Sequence, residues 1–107
     1  MCPPDAVPAV AVEVRDSVSG APIASGTRGV VQDGQYVDSL KPFGYLDDGT
    51  TLVSLSAADE RPGTYAVTVE RQRYKQWRLA GVVVAAGSCH VETVNLVALL
   101  QPLINPP

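Results

Sequence analysis

One histidine, two cysteines, one tryptophan and one phenylalanine are all that 107 residues provide of those types. That scarcity removes most site chemistry before any motif is sought. A single imidazole, His90, leaves a nucleophilic triad with one candidate base, and it leaves a zinc centre short of clustered ligands. Charge is thin as well: 18% of residues are Asp, Glu, Lys or Arg, and the net charge is -3. Nucleic-acid affinity rests on clustered cations that displace counterions, so nucleic acid is not an expected partner of a chain with a pI near 4.9. No apolar run approaches the roughly 20 residues of a membrane-spanning helix. The longest, Ala80 to Ala86, has the length of a strand, so no transmembrane segment is expected. No secretory leader opens the chain, and Met1-Cys2-Pro3-Pro4 reads as a recombinant start placed where a leader was removed.

What the chain does have is turn punctuation and alternation. Nine Gly and nine Pro are spread along it and 46% of residues are hydrophobic, the composition of one globular domain with a two-layer core. Val10, Val12 and Val14 alternate with Ala11, Glu13 and Arg15, the period of a half-buried strand. Asp16 to Gly20 is a turn cluster, and Pro22 suits an edge or the first residue of a strand. A second strand is expected around Gly26 to Gln32, and Asp33-Gly34 signals a two-residue hairpin into a third, Gln35 to Leu40. Lys41 to Thr50, KPFGYLDDGT, reads as a long loop from its Pro, Gly and Asp content. Thr51 to Ser56 is a short strand and Ala57 to Gly63 a turn. Tyr65, Val67 and Val69 then alternate with Thr64, Ala66, Thr68 and Glu70 in the clearest amphipathic strand. Gln76 to Ala86 and Cys89 to Leu100 complete the set around a Gly87-Ser88 turn.

No window carries apolar residues at helical spacing with caps. About seven short strands without a helix make an all-β, two-sheet Greek-key sandwich of transthyretin or immunoglobulin type. Residues 1–8 read as an N-terminal tether, 9–101 as the domain and 102–107 as a loose C-terminal tail.

Cys2 and Cys89 are too far apart in the chain for a metal knuckle or a redox pair. Three readings stand. The two form one disulfide, worth about 4 to 5 kcal/mol by the loop-entropy model in an oxidising compartment; or Cys2 is the lipidated first residue of a bacterial lipoprotein; or the thiols are unrelated. The first gains from placement, since Cys2 precedes the first strand and Cys89 the last. Either of the first two implies export.

The order of several short motifs is informative. Val12-Glu13-Val14-Arg15-Asp16-Ser17-Val18-Ser19-Gly20-Ala21-Pro22-Ile23, then Pro62-Gly63-Thr64-Tyr65-Ala66-Val67-Thr68-Val69, then Tyr74, Gly81-Val82-Val83-Val84 and Val94-Asn95-Leu96 resemble the carboxypeptidase regulatory-like domain. The resemblance covers about residues 9 to 100. It implies a seven-stranded transthyretin-like sandwich, usually exported, acting as an accessory module whose catalytic partner is a separate domain. Gln72-Arg73 departs from the family pattern, which has Gly before the tyrosine. The 5-hydroxyisourate hydrolases that share the fold rely on several histidines and a Tyr-Arg-Gly-Ser ending. This chain has one histidine, and its last residues read Leu103-Ile104-Asn105-Pro106-Pro107.

No catalytic residue, cofactor or metal is expected. His90 would share a strand face with Glu92 and oppose Cys89, with no nucleophile beside it, and reads as a structural or surface residue. Asp47-Asp48-Gly49-Thr50 reads as a solvated turn rather than a calcium loop, and Asp59-Glu60 lacks the burial that splits carboxyl pKa values. Arg71, Arg73, Lys75 and Arg78 read as solvated sheet surface, offset by Glu60 and Glu70, with an anion site as the alternative. The candidate ligand contacts are aromatic: Tyr74 and Trp77 as a stacking platform, Phe43 and Tyr45 in the 41–50 loop, the last two expected to plug one open end of the sandwich. The expectation is a non-enzymatic, exported accessory or interaction module of the bacterial cell envelope, its partner an unknown protein or glycan, with membrane attachment only through a lipidated Cys2. The alternative is a small carbohydrate- or peptide-binding domain using the surface aromatics.

Overall fold

The computed structural model describes residues 2–104, and these form eight strands and no helix. The strands are β1 (Pro8–Asp16), β2 (Thr27–Asp33), β3 (Tyr36–Ser39), β4 (Lys41–Tyr45), β5 (Leu52–Asp59), β6 (Gly63–Arg71), β7 (Trp77–Val84) and β8 (Val94–Leu100). They make two four-stranded sheets, β4-β5-β1-β8 and β3-β2-β6-β7. Neighbours run antiparallel except β1 and β8, which are parallel from Val10↔Val94 to Asp16↔Leu100. With no helix at all among the described residues, none is long and apolar enough to cross a membrane.

Alternation builds the core. Val10, Val12, Val14, Leu55, Ala98 and Leu100 face inward from one sheet, and Val31, Tyr65, Val67, Val69, Val82 and Val84 from the other. Stiff β-branched side chains pack well between two pleated faces, and Tyr65, fully buried, is the largest of them. No charged or polar residue is buried with them among the described residues.

The all-β sandwich therefore stands, with eight strands instead of about seven. The added one is β4, inside the segment expected to be a loop. Pro42 fits because β4 is an edge strand paired with β5 alone, so a missing N–H can face outward. Register shifts around Gly44 absorb the irregularity. The loop shrinks to the turn after Tyr45, where Leu46 and Thr51 close a backbone hydrogen bond. Asp48 shapes that turn: Oδ1 accepts the Thr50 and Thr51 N–H groups and Oδ2 the Thr51 hydroxyl. Those bonds hold its carboxyl down to about 2.

Other boundaries move for similar reasons. The β2–β3 hairpin turns at Gly34-Gln35, between the paired Asp33 and Tyr36, with Gly34 at φ 60. β5 runs on to Asp59 because β1 pairs with it as far as Pro8↔Asp59. β8 begins at Val94 and not at Cys89: residues 85–93 form a connection between the sheets, folded by Gly87 N–H to His90 O and Glu92 N–H to Ala85 O. Cys89 and His90 are thus off the strand, and the expected shared face of His90 and Glu92 does not exist. The segment read as a loose tail begins attached, since Pro102 bridges Tyr74 and Leu103 N–H donates to Arg73 O. Residues 105–107 of it lie outside the described residues.

Candidate functional site

β6 is the strand from which most of the chemistry hangs, and its two ends differ. At the N-terminal end, Tyr65 donates its hydroxyl to Arg61 O at 2.6 Å, and Arg61 Nη1 donates to Tyr65 Oη and to Asp33 Oδ2, each at 3.1 Å. The guanidinium lies 3.9 Å over the Tyr36 ring, so one face of this arginine is covered by an aromatic ring while Nη1 is hydrogen-bonded. Left-handed backbone falls on Ala58 and Glu60, φ 62 and 56, and not on Gly63. Gly63 is required for space: a Cβ there would stand 2.5 Å from Asp33 Oδ2.

Beside this corner Cys2 and Cys89 form a disulfide, their Cα atoms 5.3 Å apart. Glu60 reinforces it. Its carboxylate accepts the Val7 N–H at 3.0 Å, the Val91 N–H at 3.2 Å, and a bond from His90 Nδ1. Burial pushes the Glu60 carboxyl up, but the His90 bond and the two backbone N–H bonds outweigh it and hold the group below its ordinary 4.5. An ionised carboxylate only accepts, so His90 carries its proton on Nδ1. The other ring nitrogen, Nε2, is buried without a hydrogen-bond partner, and the adjacent Cys89 sulfur is in the disulfide. The pair lacks a nucleophile where a triad needs one, at Nε2. What it does is tie the N-terminal segment and the 85–93 connection to the β5–β6 corner.

The four candidate aromatics are dispersed. Phe43 and Tyr45 do not plug the sandwich; they lie on edge strand β4, 51% and 54% exposed, because the sheet edge leaves one side of β4 uncovered. Tyr45 borders a shallow depression with Asp47 and Asp48. Trp77 and Tyr74 are half-buried and pack against the core. They open into different cavities: Trp77 into one of about 280 Å³ with Lys75 and Arg78, and Tyr74 into two larger ones. They form no single stacking platform.

At the C-terminal end of β6 the chain makes a groove. The turn after Arg71 is closed by Tyr74 N–H to Arg71 O and passes through Arg73 at φ 75. Arg73 occupies the position where the resembled family has glycine, and it adopts the glycine-like conformation. Tyr74 donates its hydroxyl to Asp16 Oδ2 at 2.6 Å; that bond first, then the Ser19 and Val18 N–H bonds, lowers the Asp16 carboxyl. Arg71 Nε donates to Ile23 O and Ser25 O at 3.2 and 3.3 Å, with its guanidinium 5.5 Å over the Tyr74 ring. Together with Arg28, Glu70 and Gln76 these residues line a cavity of about 610 Å³. The arginines read as solvated sheet surface are thus split: Arg71 and Arg73 line this groove, while Lys75 and Arg78 sit beside Trp77. Local sequence showed only part of the groove, because Arg28 joins it through the β2–β6 pairing Arg28↔Glu70.

No protein-family model and no curated protein matches this chain.

Proposed function

We propose that this chain is an exported, non-catalytic β-sandwich module of the carboxypeptidase regulatory-like type, acting at the bacterial cell envelope as an accessory or interaction domain. The observation that carries the reading is the Cys2–Cys89 disulfide, since such a bond persists in oxidising compartments. The titratable groups support the non-catalytic part. Every carboxyl with a displaced pKa, at Asp16, Asp38, Asp48 and Glu60, is displaced downward by hydrogen bonds that shape turns and connections. A general acid needs the opposite displacement.

Lipidation of Cys2 and the disulfide compete for one sulfur. Intact mass of the protein from its native envelope, before and after reduction, separates them. A gain of two mass units with a linked Cys2–Cys89 peptide fits the proposal; a diacylglycerol adduct on Cys2 replaces the disulfide with a lipid anchor and keeps the envelope reading, whereas two free thiols in the native compartment overturn it.

The second reading, a small carbohydrate- or peptide-binding domain, is favoured by the Arg71–Arg73–Tyr74 groove and not by the four aromatics acting together.

A further inference from the structure

We infer that the groove at the C-terminal end of β6 binds an acidic saccharide, its carboxylate held by Arg71 and Arg73 and its hydroxyls by Glu70 and Gln76. This rests on the interaction-module reading above and names the ligand class for it.

Arg71 is built as a receptor. Its Nε is held by two backbone carbonyls and its plane by Tyr74, so its direction is fixed while neither terminal Nη has a hydrogen-bond partner among the described residues. A guanidinium with its rotamer already fixed loses less entropy when a carboxylate docks on it. Arg73 has no ion-pair partner among the described residues and sits in a conformation that an L side chain adopts only under strain. Arg28, Arg71 and Arg73 line the cavity with Glu70, and Arg28 Nε stands 3.9 Å from Glu70 Oε2, which leaves Arg71 and Arg73 as the excess charge; on a chain whose net charge is -3 the local field there favours an anion. Its volume, about 610 Å³, falls within the range of ligand clefts, roughly 300–1,000 Å³.

One feature selects a saccharide. The Glu70 carboxylate, held by Gln76 Nε2 at 2.7 Å on Oε1 and standing 3.9 Å from Arg28 Nε on Oε2, is a fixed acceptor in the lining; it suits hydroxyl donors and repels a phosphodiester.

The test uses the oxidised full chain, isotopically labelled, titrated at low ionic strength with tetragalacturonate and followed by amide shifts. Shifts confined to Arg28 and the Glu70–Gln76 stretch, lost at high salt, are expected. Arg73→Gly should weaken binding by about tenfold or more while thermal stability stays equal or rises, because glycine accepts the turn's φ. Arg78→Ala, outside the groove, should bind as the parent does. The proposal is overturned by an absence of groove shifts, by unchanged binding in Arg73→Gly, or by equal binding of neutral tetragalactose or of tetraglutamate. The same samples are assayed for new reducing ends. Their appearance would overturn the non-catalytic reading and leave the binding site standing.

Discussion

The two ends of β6 use the same residue types to opposite effect. At one end Arg61 is enclosed by Asp33, Tyr65 and Tyr36, and the neighbouring Glu60, His90 and Cys2–Cys89 fasten the corner. At the other, Arg71 and Arg73 keep donors that have no partner among the described residues, beside Tyr74 and an open cavity. The difference teaches that an arginine's role is set by the supply of acceptors around it. Arg61 has a carboxylate and a phenol oxygen within 3.1 Å. The Arg73 side chain has no hydrogen-bond acceptor or ion-pair partner among the described residues.

Breaking the fastened end should have the largest effect. Reduction, or Cys89→Ser, is expected to cost about 4 kcal/mol and lower Tm by on the order of 20 °C, read by calorimetry. Hydrogen exchange should then accelerate first in residues near 3–9 and 85–93, and a uniform acceleration would deny that this end is separately fastened.

Tyr65→Phe comes next. It removes the hydroxyl of a fully buried ring and leaves Arg61 O without its donor, at about 1 to 3 kcal/mol. Tyr74→Phe, at a half-buried ring bonded to the half-buried Asp16 carboxylate, should cost less in chemical denaturation. Equal losses would erase the contrast between the two ends.

Acid should act on both. Glu60 and Asp16 are held below their ordinary values of 4.5 and 3.8, and Asp48 is held at about 2. A depressed carboxyl stabilises the fold above its unfolded-state pKa, and that contribution is lost as pH falls through the folded value. Tm should therefore be flat above about pH 5 and fall toward about pH 2. Glu60→Gln should remove part of that slope without shifting groove amides, whereas Asp16→Asn should shift them through Tyr74.

The smallest effect is Arg73→Gly, expected to raise stability by about 1 kcal/mol by relieving the left-handed turn, measured by urea denaturation. A loss of stability would mean that the Arg73 side chain holds the turn together.

Much of the fold was legible because burial imposes a period of two. Val10-Val12-Val14 and Tyr65-Val67-Val69 announced their strands and their inward faces. Asp16 and Gly20 announced the first turn. β4 was illegible, since Pro42 and Gly44 argue for a loop unless the strand is known to lie at an edge. His90 was assigned the wrong neighbour for a related reason. The partner Glu60 is 30 residues away, and only the fold of the 85–93 connection brings it near. The groove was half visible: Arg71, Arg73 and Tyr74 are adjacent in sequence, but Arg28 joins them through strand pairing.

The sequence by itself determined the class of the molecule, the inward side chains and the residues able to form a disulfide, because hydrophobic alternation and the cysteine count are local properties of the chain. Tertiary structure decided which strand is an edge, that the two sulfurs meet, and which arginines find acceptors. Those outcomes depend on pairing between residues distant in sequence, which no local pattern encodes.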